Sequence, residues 1–73
     1  MAELTIGQAM RNARKRKGIT ASKLSAITGY NKYTISRWEN DKAVPTLISV
    51  IDIADTLGVS IDELIGHEVR KKK

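Results

Sequence analysis

Between Asn31 and Glu39 the chain runs Asn-Lys-Tyr-Thr-Ile-Ser-Arg-Trp-Glu, and four of these side chains suit contact with the edges of base pairs. At about 100° per residue, with Lys32 at zero, Ser36, Tyr33 and Arg37 fall at about 40°, 100° and 140°, while Trp38 and Ile35 fall at about 240° and 300°. The first group brings together a cation, a phenol, a hydroxyl and a guanidinium. Such a set donates to guanine O6 and N7, touches a thymine methyl and accepts from exposed amines. It holds no carboxylate, so nothing on that face repels a phosphate. Trp38 shares its face with Ile35, which makes it a core residue in preference to a stacking platform for single strands. Tyr30, just before the segment, could serve either role.

A face of this kind works only if other elements hold it, and the chain is punctuated accordingly. Glycines fall between periodic apolar segments at Gly18, Gly29, Gly58 and Gly66, and the single proline is Pro45. Apolar residues recur at three and four, and no hairpin dipeptide separates alternating runs, so the reading is all-helical with five short helices. Thr5 and Gln8 form a capping box for the first, with Ile6, Ala9, Met10 and Ala13 inward. Thr20 caps the second, to about Thr28, and Asn31 caps the third through Glu39. Thr46 caps the fourth through Leu57, with Leu47, Val50, Ile53, Ala54 and Leu57 inward. Ser60, with Glu63 as its box partner, opens a brief fifth.

Charge is divided along the chain. Residues 1 to 42 carry nine Lys or Arg against Glu3, Glu39 and Asp41, a net of +6. Residues 43 to 69 hold five acids and no Lys or Arg, and Arg70 to Lys73 add four positive charges. A basic half without a strongly apolar backing suits nucleic acid better than a membrane surface. There is no cysteine, which excludes a disulfide framework and thiolate metal sites. The one histidine, His67, lies in a basic stretch, 67 to 73, expected to be a disordered tail. Asp52 and Asp55, three apart on the fourth helix, lack a third metal ligand and are expected to form its solvated face. Neither an enzyme nor a cofactor or metal site is expected. The start Met1-Ala2-Glu3 resembles no secretory leader and is expected to be the natural N-terminus of a cytoplasmic protein, with no membrane-spanning segment.

The order and spacing of several short matches resemble the Cro/repressor-type (Xre) helix-turn-helix family of bacterial and phage transcriptional regulators. These are Gly18-Ile19-Thr20, Leu24 with Thr28-Gly29, Ile35 through Asn40, Pro45-Thr46-Leu47, and Ile53-Ala54 with Leu57-Gly58-Val59-Ser60-Ile61-Asp62-Glu63-Leu64. The resemblance covers Ile6 to Ile65 and implies a compact five-helix, lambda-repressor-like DNA-binding domain over 4–66, with its helix-turn-helix at about 20–39. Carried over by position, it places Lys32, Tyr33, Ser36 and Arg37 toward base edges. It sets Thr20, Asn31, Asn40 and Lys42 near the DNA backbone. It also implies an ion pair between Arg14 and Glu39, which as an exposed pair would contribute at most ~1 kcal/mol and would serve to orient Arg14.

Three residues depart from the family pattern. Ala21 replaces a common Gln that bonds phosphate, a role left to Ser22, Lys23 or the amides of the second helix. Ser25 replaces a small apolar residue, with its hydroxyl expected to bond a carbonyl one turn back. Asp41 stands where Gly is common. The expected partner is double-stranded DNA, bound by a weak homodimer that uses Val59, Ile61 and Ile65, with no small-molecule ligand. The rival expectation is an antitoxin-like or anti-repressor module whose patch of Ile27, Ile48, Ile51, Ile61 and Ile65 holds a protein partner.

Overall fold

Side-chain oxygens start each helix of the computed structural model, which describes residues 4–65. Thr5 accepts from the Gln8 amide at 3.1 Å while Gln8 Oε1 accepts from the Thr5 amide at 3.0 Å, so the expected capping box is complete. It opens α1, Ile6–Lys17. Thr20 caps α2, Ala21–Thr28; Asn31 caps α3, Lys32–Glu39; Thr46 caps α4, Leu47–Leu57. Residues 61–65 form a fifth helical segment, with the Ser60 hydroxyl on the Glu63 amide. The Glu63 carboxylate accepts from Arg16 and so ties this segment back to α1. Among the described residues there is no strand. The stretch expected to be a tail, 67–73, lies outside the described residues, as does Gly66.

The core takes one fully buried large residue from each long helix: Met10, Leu24, Ile35 and Ile53, each at 0% exposure. Leu64 closes it from the fifth segment, and Ala9, Ala13, Trp38, Val50, Ala54 and Leu57 fill the remainder. The helical period thus orients α1, α3 and most of α4 as expected. Leu47 is a correction. Expected inward, it is 63% exposed, because the first turn of α4 lies beyond the core, which the helix meets only from Ser49 and Val50 onward.

Ser25 is a second correction. Its Oγ donates forward to the Tyr30 carbonyl at 2.6 Å, across the turn between α2 and α3, and not to a carbonyl one turn back. Tyr30 itself packs edge-on against Trp38, with ring centroids 5.4 Å apart, and its hydroxyl donates to Asp52 Oδ2 at 2.5 Å. Asp52 is therefore exposed but not idle: it anchors the turn to α4.

α1 lies tightly against the end of α3 at Gly7, which no sequence pattern singled out. A methyl group there would lie 2.2 Å from the Trp38 carbonyl oxygen and 2.7 Å from Asp41 Oδ1. The chain leaves α3 through Asp41 at φ +60°, and Thr5 Oγ1 donates to Asp41 Oδ2 at 2.9 Å. Alanine within a helix ordinarily stabilises by about 1 kcal/mol relative to glycine. Here the sign should reverse. Gly7→Ala is expected to cost about 1–3 kcal/mol, the usual penalty of overpacking, and thermal unfolding measures it. A raised melting temperature would mean that α1 and α3 do not meet so closely.

Candidate nucleic-acid interface

Burial of Ile35 and Trp38 fixes the rotation of α3 and turns Lys32, Tyr33, Ser36 and Arg37 to the surface, where all four are exposed. Arg37 lies with Cζ 5.9 Å from the Tyr33 ring centroid, and its Nη2 donates to the Lys42 carbonyl at 3.0 Å. One end of the guanidinium is thus tied to the loop after α3 while other donors face outward. Tyr33, Ser36, Arg37, Asn40 and Lys42 line a shallow groove of about 430 Å³. The base-facing and backbone-facing candidates of this region therefore form one continuous surface.

The other backbone candidates stand at helix starts. Thr20 uses its oxygen to cap the Lys23 amide at 3.0 Å, which keeps the hydroxyl proton for an acceptor elsewhere. The same bond occupies the Lys23 amide. Asn31 accepts from the Tyr33 amide through Oδ1 at 2.7 Å, and its amide hydrogens remain to donate. Ser22 and Lys23 are exposed on the first turn of α2.

Glu39, one residue beyond Trp38, is 4% exposed. Arg14 grips it through Nε to Oε2 at 2.8 Å and Nη2 to Oε1 at 2.9 Å, with Nη1 donating to the Ile19 carbonyl at 3.0 Å. The hydrogen bonds to Glu39 raise the Arg14 pKa above its ordinary value; burial opposes this and the carboxylate's charge adds to it. The expectation of an exposed pair is therefore corrected. Side-chain exposure is 13% for Arg14 and 3% for Glu39, because the α1–α3 crossing covers both.

Arg11 was missed. It lies on the same face of α1 as Arg14, three residues earlier, with Nε 3.5 Å from Glu39 Oε1 and Nη2 donating to Asn40 Oδ1 at 2.8 Å. That spacing was the available signal, hidden because the bases of α1 count first as net charge.

Two helices joined by a short turn, the second with its inner face in the core and a polar, carboxylate-free outer face, define a helix-turn-helix DNA-binding domain. Comparison with known proteins agrees. The helix-turn-helix family profile matches residues 10–64. The chain belongs to this family of Cro/repressor-type, DNA-binding transcription regulators. It is 32% identical over 60 residues to the HTH-type transcriptional regulator y4dJ of Sinorhizobium fredii, a match covering 82% of this chain and 78% of that one. It is 30% identical over 64 residues to the transcriptional repressor RstR of cryptic phage CTXphi from Vibrio cholerae. That match covers 88% of this chain and 57% of the phage protein. No solved structure matches the chain significantly. No helix among the described residues is long and apolar enough to cross a membrane.

Removing one partner of a buried ion pair leaves the other charge uncompensated, at a cost of about 3–5 kcal/mol. Arg14→Ala is expected to destabilise by that amount in denaturant titration. A cost under 1 kcal/mol would show the pair to behave as a solvent-screened surface contact.

Proposed function

We propose that this domain represses transcription by binding a specific double-stranded DNA sequence in the cytoplasm, with α3 lying in the major groove. The observation that carries the reading is the outward face of α3, where Lys32, Tyr33, Ser36 and Arg37 stand exposed without a carboxylate and the last three line one groove. The repressor role is supported by the name of the phage relative. Lys32, Tyr33, Ser36 and Arg37 contact base edges. Thr20, Ser22, Lys23, Asn31, Asn40 and Lys42 contact the sugar-phosphate backbone, and the Arg14–Glu39 pair orients α1 against the end of α3. The working unit is residues 4–66. It needs no cofactor and performs no catalytic step.

Four side chains distinguish few base pairs against the ~10⁶ or more competing sites of a genome, so two copies bind together, on half-sites about 34 Å apart. The region first considered for their contact offers little: Val59 and Ile65 pack on the core, and Ile61 is 37% exposed. More apolar surface is free at Val44, Leu47 and Ile48, exposed by 80%, 63% and 70%. This surface, with Ile51 beside it, is also what an antitoxin-like or anti-repressor module would use to hold another protein. The basic reading face favours the DNA-bound dimer, in which the second copy covers the apolar surface and DNA supplies much of the assembly energy.

Random-site selection tests the reading directly, with an inverted repeat expected. Arg37→Ala should relax the selected motif at one base pair and cost roughly 1–3 kcal/mol there. Lys42→Ala should weaken all sequences alike and flatten the salt slope by about one. An unchanged motif in Arg37→Ala would refute the assignment of the reading face. Sedimentation with the selected duplex should show two chains per site; one chain per duplex at saturation, on a site without a repeat, would remove the dimer alone.

A further inference from the structure

Arg11 lies outside the proposed reading surface, on α1, yet it reaches that surface through one neighbour. Its side chain is 40% exposed, and Nη2 donates to Asn40 Oδ1 at 2.8 Å. Asn40 in turn directs Nδ2 to the Ser36 carbonyl oxygen at 2.8 Å, with Ser36 Oγ 3.4 Å from the same nitrogen. Ser36 and Asn40 both line the groove on the outer face of α3.

An asparagine amide is nearly symmetric in shape, and its two ends differ in that one accepts and the other donates. Its neighbours here have fixed polarity. A guanidinium only donates and a backbone carbonyl only accepts. With Arg11 on one side and the Ser36 carbonyl on the other, a single orientation satisfies both: oxygen toward Arg11, NH2 toward Ser36. The reverse would set NH2 against guanidinium and oxygen against oxygen.

The polarity passes one step further. Nδ2 has no lone pair to offer, so in its long contact with Ser36 the hydroxyl oxygen is the acceptor. The hydroxyl hydrogen is then turned away from Asn40, and among the described residues it has no acceptor. Ser36 then faces the groove with its hydroxyl hydrogen and one remaining lone pair, a balance shifted toward donation, which suits guanine O6 or N7, adenine N7 or thymine O4.

We infer that Arg11 is a positioning residue for base readout: by taking the Asn40 oxygen it holds, together with the Ser36 carbonyl, the Asn40 NH2 on Ser36 and biases the Ser36 hydroxyl toward donating to DNA. The inference rests on the proposed role of Ser36 as a base contact. The competing role for an arginine here is a phosphate contact, which would add affinity without sequence preference.

The two roles separate on the duplex selected by the wild-type chain. Affinity is measured for that duplex and for every single base-pair replacement, over a range of salt, with wild type, Ser36→Ala, Asn40→Ala, Arg11→Met and Arg11→Lys. Ser36→Ala locates the base pair that Ser36 reads. Arg11→Met keeps the length of the side chain but removes its donors, and should lower discrimination at that base pair about five-fold, the scale of one hydrogen bond. Other positions and the salt slope should stay as in wild type. Asn40→Ala should relax the same position, on top of a uniform loss from its proposed backbone contact, without altering α1, which keeps the comparison available should Arg11→Met unfold. Arg11→Lys retains a donor and should restore most of the discrimination. A uniform loss across all duplexes in Arg11→Met, with the salt slope reduced by about one, would identify a phosphate contact and overturn the inference. So would a Ser36→Ala variant that relaxes no position. A wild-type chain that selects no motif would sink the DNA-reading proposal itself, and this inference with it.

Discussion

The carboxylate of Glu39 sits almost without solvent at the crossing of α1 and α3, and it survives there because two arginines of α1 surround it. Taking a carboxylate out of water costs several kcal/mol even after local relaxation. The bidentate grip of Arg14 offsets that cost only if the two helices hold one distance and one angle. The same crossing brings Gly7 against the Trp38 carbonyl, so a polar clamp and a steric stop act on neighbouring residues of α3 and about two turns apart on α1. A helix of 8 residues would be marginal alone, and its placement has to come from such contacts.

From this constraint follows the division of labour within α3. Ile35 and Trp38 are spent on the core, Glu39 on the clamp, and what remains outward is Lys32, Tyr33, Ser36 and Arg37. The turn before the helix is secured by separate means: Ser25 holds the Tyr30 carbonyl, while the Tyr30 ring meets Trp38 and its hydroxyl meets Asp52. Each tie joins a different helix to the turn. Rotation of α3 about its axis would therefore break its clamp to α1 and disturb the Tyr30 ring that the turn packs on Trp38.

The loop from Asp41 to Thr46 carries a second consequence. Asp41 takes a left-handed conformation that a non-glycine residue adopts at some cost, and its carboxylate is held by Thr5, the residue that also caps α1. One side chain thus begins the first helix and fixes the exit of the third. Beyond it, Val44, Leu47 and Ile48 emerge on the surface as exposed apolar side chains.

Local chemistry was sufficient for much of this. The residue types at Thr5, Thr20, Asn31, Thr46 and Ser60 determined where helices begin, since a capping oxygen bonds an amide two or three positions on and needs no distant partner. The 3.6-residue period determined which faces of α1 and α3 turn inward, because Ile35 and Trp38 must share one side whatever they pack against. Tertiary structure alone decided the rest. Leu47 has the spacing of a core residue, but only the packing of α4 shows that burial begins after it, at Ser49. Arg14 and Glu39 could be matched as partners from the sequence, yet their burial depends on the α1–α3 crossing. The contacts of Gly7 with Trp38 and of Arg11 with Asn40 join residues 29 or more positions apart in the chain. Periodicity records which side of a helix is apolar. It holds no information on which turn of one helix meets which turn of another, and at that meeting Arg11 reaches Asn40 and Arg14 reaches Glu39.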